Sequence, residues 1–186
     1  MEVKKVKVNL SSAYRLIHPK HVVLVSCRGK RGKINIITLA WCMPTSRRPP
    51  LLAISVSPKR LSHEIIVKTK EFVVNVPTME IVKETLFCGR RTGRRLDKFK
   101  ETGLTPLKAK VVKPPIIKEC VAHLECKLSQ QVTTGDHTIF VGEILKAYVN
   151  EGVFDETYNL EKVKPIYHMG GDEFATLASR VTSPKL

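Results

Sequence analysis

The apolar positions of this chain fall into short runs broken by glycine, proline and basic clusters. Residues 21–27 (HVVLVSC) and 34–42 (INIITLAWC) are β-branched, nearly continuous apolar runs. Such runs fit strands buried on both faces. Between them, RGKRGK holds two glycines and four basic residues, a hairpin turn. Residues 51–57 and 71–76 (EFVVNV) read as further strands, each stopped by a proline. Residues 120–132 alternate apolar and polar positions, and 137–149 (HTIFVGEILKAYV) form a last long strand with Gly142 as a bulge. Gly135 and Asp136 mark the turn between these two. A short edge strand is expected at 108–113, and the proline-rich stretch 44–50 is expected as a loop. Helical spacing appears at 12–17, capped by Ser11 or Ser12, at 61–69 and at 79–88, with one further turn around 96–100. Residues 150–186 read as a loop-rich tail.

About seven strands joined mostly by short turns, with two or three helices, do not alternate as βαβ units. The pattern therefore predicts a mainly antiparallel β-barrel with inserted helices. Neither GxGxxG nor GxxxxGK[ST] is present, so neither common nucleotide loop is available.

Length sets one domain as the expectation for 186 residues, 1–186, with a barrel core at about 15–150. No apolar run is long enough to span a bilayer, and the first residues lack a secretory signal, so a cytoplasmic location without membrane association is expected. Charge adds more. Residues 1–130 carry 27 basic and 9 acidic side chains, a net of +18, whereas 131–186 are net −3. Such a field favours an anionic partner. An RNA reader would offer exposed aromatics for base stacking. Only 11 aromatic residues exist, and Phe72, Phe87, Phe99, Phe140 and Tyr148 sit in apolar contexts, which argues against nucleic acid. The five cysteines lack CxxC spacing and the histidines lack HxxxH, so no metal site is expected.

Several short stretches could carry chemistry. SVSPKRLSH (55–63) ends a strand in hydroxyls and basic residues and opens a helix. Its first amides, with Ser62 and Lys59 or Arg60, could hold a phosphate; an ordinary helix start with solvated basic neighbours is the alternative. FCGRRTGRRLDK (87–98) could cover an anion or be a solvated loop. YHMGG (167–171) is a flexible turn.

In their order along the chain, these stretches resemble one family. They are Asn35-x5-Trp41 running on to Pro49 and Pro50, then 55–65, EFVVNVP (71–77), RRLDKFKETGLTP (94–106), CVAHLECKL (120–128), GDHTIFVGEIL (135–145) and YHMGG. The sequence is similar to the flavin reductase-like, FMN-binding split-barrel proteins of the flavoredoxin type, over roughly 15–175. That resemblance implies a six-stranded antiparallel Greek-key split β-barrel with added helices. It implies a homodimer, FMN near the dimer interface, and NADH or NADPH as reductant. It also implies that the tail packs on the barrel or the partner subunit.

The resemblance places Thr38, Ala40, Trp41, Cys42 and Met43 along the isoalloxazine ring. It puts Ser55, Val56 and Ser57 at the ribityl chain and ring, and Arg60, Ser62 and His63 at the phosphate. Phe87, Cys88 and Gly89 approach the ring from its other side. Lys98 reaches the phosphate or the pyridine nucleotide, and His168 closes the site from the tail. Arg90, Arg91, Arg94 and Arg95 are candidates for a 2′-phosphate, or simply solvated. The hydride chemistry would belong to the flavin, so no side-chain catalyst is needed. The implied activity is NAD(P)H-dependent reduction of flavin, or flavin-mediated reduction of ferric iron or another acceptor. A non-catalytic FMN electron carrier, passing electrons to an acceptor protein, is the alternative.

Overall fold

The computed structural model describes residues 3–179 and 182. Seven strands form its main sheet: β1 (Val23–Arg28), β2 (Ile34–Leu39), β3 (Cys42–Arg47), β4 (Pro50–Val56), β5 (Glu71–Val76), β6 (Ala122–Thr134) and β7 (His137–Val149). Their spatial order is β2-β1-β5-β6-β7-β4-β3, with every pairing antiparallel. The two edge strands, β2 and β3, are consecutive in sequence yet share no ladder. The barrel is split there, and the chain crosses the split at Ala40 and Trp41.

The continuous apolar runs follow from burial on both faces. In β1, Val23, Val25 and Cys27 point into the barrel, where they meet Ile54, Ile66, Phe72 and Phe140. Leu24 points outward to a second core with Ile36, Cys88, Phe99, Leu104, Ile117 and Cys120. Three helices pack on the sheet: α1 (Leu61–Thr69), whose Ile65 and Ile66 join the barrel-interior core, and α2 (Val82–Arg90) and α3 (Lys98–Thr102), which supply the outer cover through Cys88 and Phe99. The first of these has the residues the hydrophobic spacing predicts. Two expected helices differ in detail. The N-terminal one is a 3₁₀ helix, Leu10–Ile17, capped by Asn9 rather than by Ser11 or Ser12. The second starts with a 3₁₀ turn, Met79–Ile81, before α2.

The strand count agrees with the hydrophobic pattern and exceeds by one the six that the resemblance implies, but the seven are not the same seven. The stretch expected as a proline-rich loop contains β3. Pro44 is tolerated because β3 is an edge strand, where a missing N–H costs no ladder bond. A register shift between Pro44 and Ser46 leaves Thr45 as the extra residue. Conversely, the expected strand at 108–113 is irregular. Its amides are taken by a side chain: Glu125, on β6 and fully buried, accepts from the N–H groups of Lys110 (2.7 Å), Val111 (2.6 Å) and Val112 (3.0 Å). The Tyr148 hydroxyl donates to the same carboxylate at 2.9 Å.

Gly142 does lie at a bulge: the ladder shifts register between Val141 and Gly142, leaving Ser129 on β6 unpaired. A Cβ at this position would come within 2.5 Å of the Phe72 ring and 3.1 Å of Cys126. Glycine is needed because Phe72 fills the space. The tail is less loose than expected. Tyr167–Gly170 pairs with Lys20–His21 and with Glu173–Ala175, and Val163 and Ile166 are buried.

Two stability experiments follow from this packing. Gly142→Ala should destabilise by about 1–3 kcal/mol through overpacking against Phe72, measured by urea unfolding. Glu125→Gln should cost about 2–3 kcal/mol at neutral pH by weakening its charge-assisted bonds. Burial opposes ionisation of Glu125, but the three amides and the tyrosine hydroxyl outweigh it and hold its pKa below the usual value. A depressed carboxyl pKa stabilises above the unfolded-state value and loses that contribution as pH falls through the folded value. The gap between wild type and Glu125→Gln should therefore shrink in acid.

Candidate functional site

Three clefts line up along β2 and across the split. The first is basic, bounded by Asn35, Lys59, Arg60, Ser62, Arg91 and Lys98. The second adjoins it at Gly89 and is walled by Thr38, Ala40, Thr85, His168 and Phe174. The third adjoins the second at Ala40. It is the most apolar and opens over Tyr14, His18, Trp41, Met43 and Ser55, with a volume of about 300 Å³.

The basic cleft is built where the start of α1 faces the end of α2. A helix start leaves amides without intrahelical acceptors, and here two guanidinium groups stand beside it. Ser62 is buried, and its hydroxyl accepts from Asn35 Nδ2 at 2.8 Å. That bond fixes the helix start to β2, which leaves the backbone, rather than the hydroxyl, to face the cleft. Gly93 is required here, since a Cβ would fall 2.0 Å from Asn35 Oδ1.

Lys98 lies at the floor of the basic cleft and is almost fully buried. Its Nζ donates to the carbonyl of Ile36 at 2.8 Å and to that of Cys88 at 2.5 Å. Ile36 is on an edge strand, so the ammonium serves an acceptor that a neighbouring strand would otherwise take. Burial and, to a lesser degree, the nearby Arg60 guanidinium lower the Lys98 pKa to about 8. Lys98 therefore joins β2, α2 and α3, and carries a charge beneath the cleft that is titratable near neutral pH.

The middle cleft depends on a close approach of α2 to β2. Thr38 Oγ1 donates to the Thr85 carbonyl at 2.5 Å, and a Cβ on Gly89 would come 3.2 Å from Thr38 Cβ. The Thr85 hydroxyl is buried without a partner among the described residues. From the tail, His168 Nε2 bonds the Gly171 carbonyl at 3.1 Å. Arg90 clasps the same turn, donating to Asp172 Oδ1 at 2.6 Å and to Gly171 O at 2.8 Å.

In the apolar cleft, Trp41 is held at the crossing by its carbonyl, which accepts from Ser55 N–H at 2.9 Å. Its indole packs edge-on against Tyr14, with centroids 5.7 Å apart, and lies 4.9 Å from the His137 ring. Cys42 lines this cleft. Burial pushes its thiol pKa up to about 11, and that of Cys88 likewise to about 11. Both are protonated at neutral pH, so neither has the thiolate character of a nucleophile.

The structure brings together most residues expected at the site: Thr38, Ala40, Trp41, Cys42, Met43, Ser55, Arg60, Ser62, Cys88, Gly89, Lys98 and His168 line the three clefts. Val56, Ser57, His63 and Phe87 line none of them. Val56 belongs to the barrel core, and the Ser57 carbonyl accepts from Arg60 N–H in the turn before α1. His63 turns its ring toward β7, bonding Thr138 Oγ1 at 2.9 Å and lying 5.0 Å from Phe140. Of the four loop arginines, Arg90 and Arg94 are paired with Asp172 and Glu64, and Arg91 faces the basic cleft. Tyr14, His18, Thr85 and Phe174 also line the clefts but carry no motif. Tyr14 lies on the 3₁₀ segment and His18 caps its end, and no local signal in the sequence marks their place in the clefts.

Comparison with known proteins agrees with this architecture. The flavin reductase-like domain model matches residues 14–172. An uncharacterized protein of Archaeoglobus fulgidus is 37% identical over 152 residues, covering 82% of this chain and 86% of that protein. Among solved structures, flavoredoxin from Methanosarcina acetivorans superposes with a TM-score of 0.87 at 28% identity, over 97% of this chain and 95% of that one. Flavoredoxin of Desulfovibrio vulgaris (Miyazaki F) gives 0.85 at 25%, over 96% and 97%. The fold and groove thus define a split-barrel protein of the flavin-binding class. The chain belongs to the flavin reductase-like domain family.

Lys98→Met tests the role of the buried ammonium. A lysine pKa lowered by folding means that the unfolded chain binds more protons between about pH 8 and the usual lysine value near 10.5. Wild-type stability should rise with pH across that window, and the variant should lack that rise. The deficit of the variant, which arises because two buried carbonyls lose their donor, should therefore be larger at pH 10 than at pH 7, where the wild type also carries the cost of a buried charge.

Proposed function

We propose that this chain is an FMN-dependent oxidoreductase that takes reducing equivalents from NADH or NADPH and passes them to flavin or another acceptor. The observation that carries the reading is the run of three adjoining clefts, basic at one end and apolar-aromatic at the other, from Arg60 to Trp41. That polarity matches a molecule with a dianionic phosphate at one end and a planar ring system at the other. Two further features fit. The Thr85 hydroxyl and His18 Nε2 are buried polar atoms without partners among the described residues, available to a ring edge that both donates and accepts. Gly89 and Gly93 let α2 and the turn after it lie close against β2 at the groove floor, where a Cβ would press on Thr38 or strike Asn35.

In this reading Arg60 and Arg91 bind the phosphate beside the first amides of α1. Ser62 and Asn35 act indirectly by fixing that helix start. Thr38, Ala40, Trp41, Cys42 and Met43 present backbone groups and surface to the ring, and Ser55 lines its edge. Gly89 and Cys88 bound the opposite side, with His168 and Phe174 excluding water from the tail. His63, Val56, Ser57 and Phe87 support these elements from behind rather than touching the cofactor. Bound FMN would supply hydride acceptance and release, so the protein needs no general base of its own. The family resemblance also supports a single cytoplasmic domain acting as a homodimer. The exposed apolar side chains Leu10, Tyr14, Leu16, Ile17, Trp41 and Met43 favour such an interface.

The test begins with the visible spectrum of the purified protein, reconstituted with FMN if colourless, followed by anaerobic addition of NADH or NADPH. Flavin absorbance near ~450 nm should appear and bleach on addition. Bleaching only by dithionite would instead indicate an electron carrier, and failure to bind FMN would refute the assignment of the groove. Arg60→Ala should weaken FMN binding by roughly tenfold or more, read by fluorescence titration, since it removes a charge-assisted bond to phosphate.

A further inference from the structure

Beyond the groove, a cluster of exposed basic residues without ion-pair partners among the described residues sits at the end of the barrel where β1 turns into β2. The turn, residues 29–33, is tightly closed: Gly29 N–H donates to the Lys33 carbonyl at 2.8 Å and Gly32 N–H to the Gly29 carbonyl at 2.9 Å. Gly32 adopts φ +83°, a conformation that glycine permits without strain. The turn is therefore a closed ridge whose basic side chains are exposed. A shallow cleft flanks it on each side, one bounded by Arg28, Lys68 and Lys113, the other by Arg94 and Arg95.

The acidic groups lining the two clefts, Glu71 and Asp97, are outnumbered by seven cations. Glu64 pairs with Lys68 at 2.8 Å and with Arg94 at 3.1 Å. Glu71 accepts from Lys113 N–H at 3.0 Å, and Asp97 caps α3 through the amides of Phe99 and Lys100. Arg28, Lys30, Arg31, Lys33, Arg95 and Lys113 are exposed, and none makes an ion pair among the described residues. Unneutralised like charges gathered on one surface repel one another, a cost that a complementary partner removes.

We propose that this ridge is the docking surface for an acidic protein. The cations are spread over the turn and the two clefts beside it rather than gathered in one cleft, so the surface suits a macromolecule. No aromatic residue lies among the six cations to stack a base, which favours a carboxylate-rich protein face over single-stranded nucleic acid. The location is also apt. Ile34 bounds the cleft beside the ridge, while the next residue, Asn35, bounds the basic cleft of the proposed cofactor groove. The loop at 91–98 lines both that cleft and the basic cleft, so the ridge and the groove are neighbours on the surface. The identity of such a partner as an electron-transfer protein rests on the function proposed above; the docking surface itself does not.

An acidic ferredoxin serves as the probe, with an RNA duplex of comparable charge as the competitor class. Binding to immobilised wild-type protein is measured at about 50 mM and about 200 mM salt, alongside FMN titration of the same samples. The ferredoxin should bind, weaken steeply with salt, and lose at least about tenfold in affinity in a Lys30→Glu, Arg31→Glu, Lys33→Glu variant. A milder variant, Lys30→Gln with Arg31→Gln, should show a smaller loss in the same direction and guards against a folding defect in the first. Reversal of Lys146 and Lys162, placed elsewhere on the surface, should have little effect. The proposal is overturned if both ridge variants bind ferredoxin as wild type does, if the control reversal weakens it equally, or if the RNA duplex binds more tightly than the ferredoxin. FMN affinity reports separately on the groove. Lost ferredoxin binding with retained FMN binding in the ridge variants supports the surface, and ridge-dependent ferredoxin binding by a protein that never takes up FMN would sink the proposed function alone.

Discussion

The open seam between β2 and β3 is the constraint on which this molecule turns. Seven antiparallel strands curl into a barrel, but its two edge strands do not meet in a ladder. An unpaired edge leaves backbone groups that must find other partners. On β2 the Ile36 carbonyl finds the Lys98 ammonium, and the Thr38 side chain holds α2 close to the edge by donating to the Thr85 carbonyl. These contacts place helices beside the seam rather than across it. The three clefts follow, because covering an edge with helices leaves grooves where the helix ends and the strand do not match.

Charge is handled oppositely on the two sides of the barrel. Away from the seam, Glu125 is buried but given four donors, so a potentially costly charge organises an irregular loop. His123 nearby stays neutral, its pKa pushed down to about 4 by burial, and donates to Asn75 Oδ1 at 2.9 Å. Along the seam, positive groups collect with few acidic partners. A buried lysine and two guanidinium groups around a helix start leave an electrostatic deficit that an anion would satisfy. The far side is thus internally balanced and structural, and the seam side is unbalanced in the manner expected of a binding surface.

Much of the barrel was legible in the chain. The runs at 23–28, 34–39 and 71–76 are apolar because they are covered on both faces, and α1 follows its hydrophobic spacing residue for residue. The segment 108–113 misled because its alternation looks like a strand, while its amides are claimed by Glu125 from thirteen or more residues away. β3 was hidden by Pro44, Pro49 and Pro50, since local preference does not reveal that an edge position tolerates them. In the groove, Arg60 and Trp41 stand within recognisable stretches. Tyr14, Thr85 and Phe174 reach it only through packing between distant segments, and His63, two residues from the visible helix start, faces the opposite way because of helical rotation.

The sequence by itself determined the strand-rich class, the positions of most turns, the basic imbalance and the family, because these depend on periodicity, local backbone preference and ordered motifs. Tertiary structure decided which edge stayed open, which carbonyls needed a lysine, which arginines were neutralised and which remained exposed. Those outcomes depend on groups far apart in the chain meeting at a particular distance, and no local pattern encodes a distance of that kind.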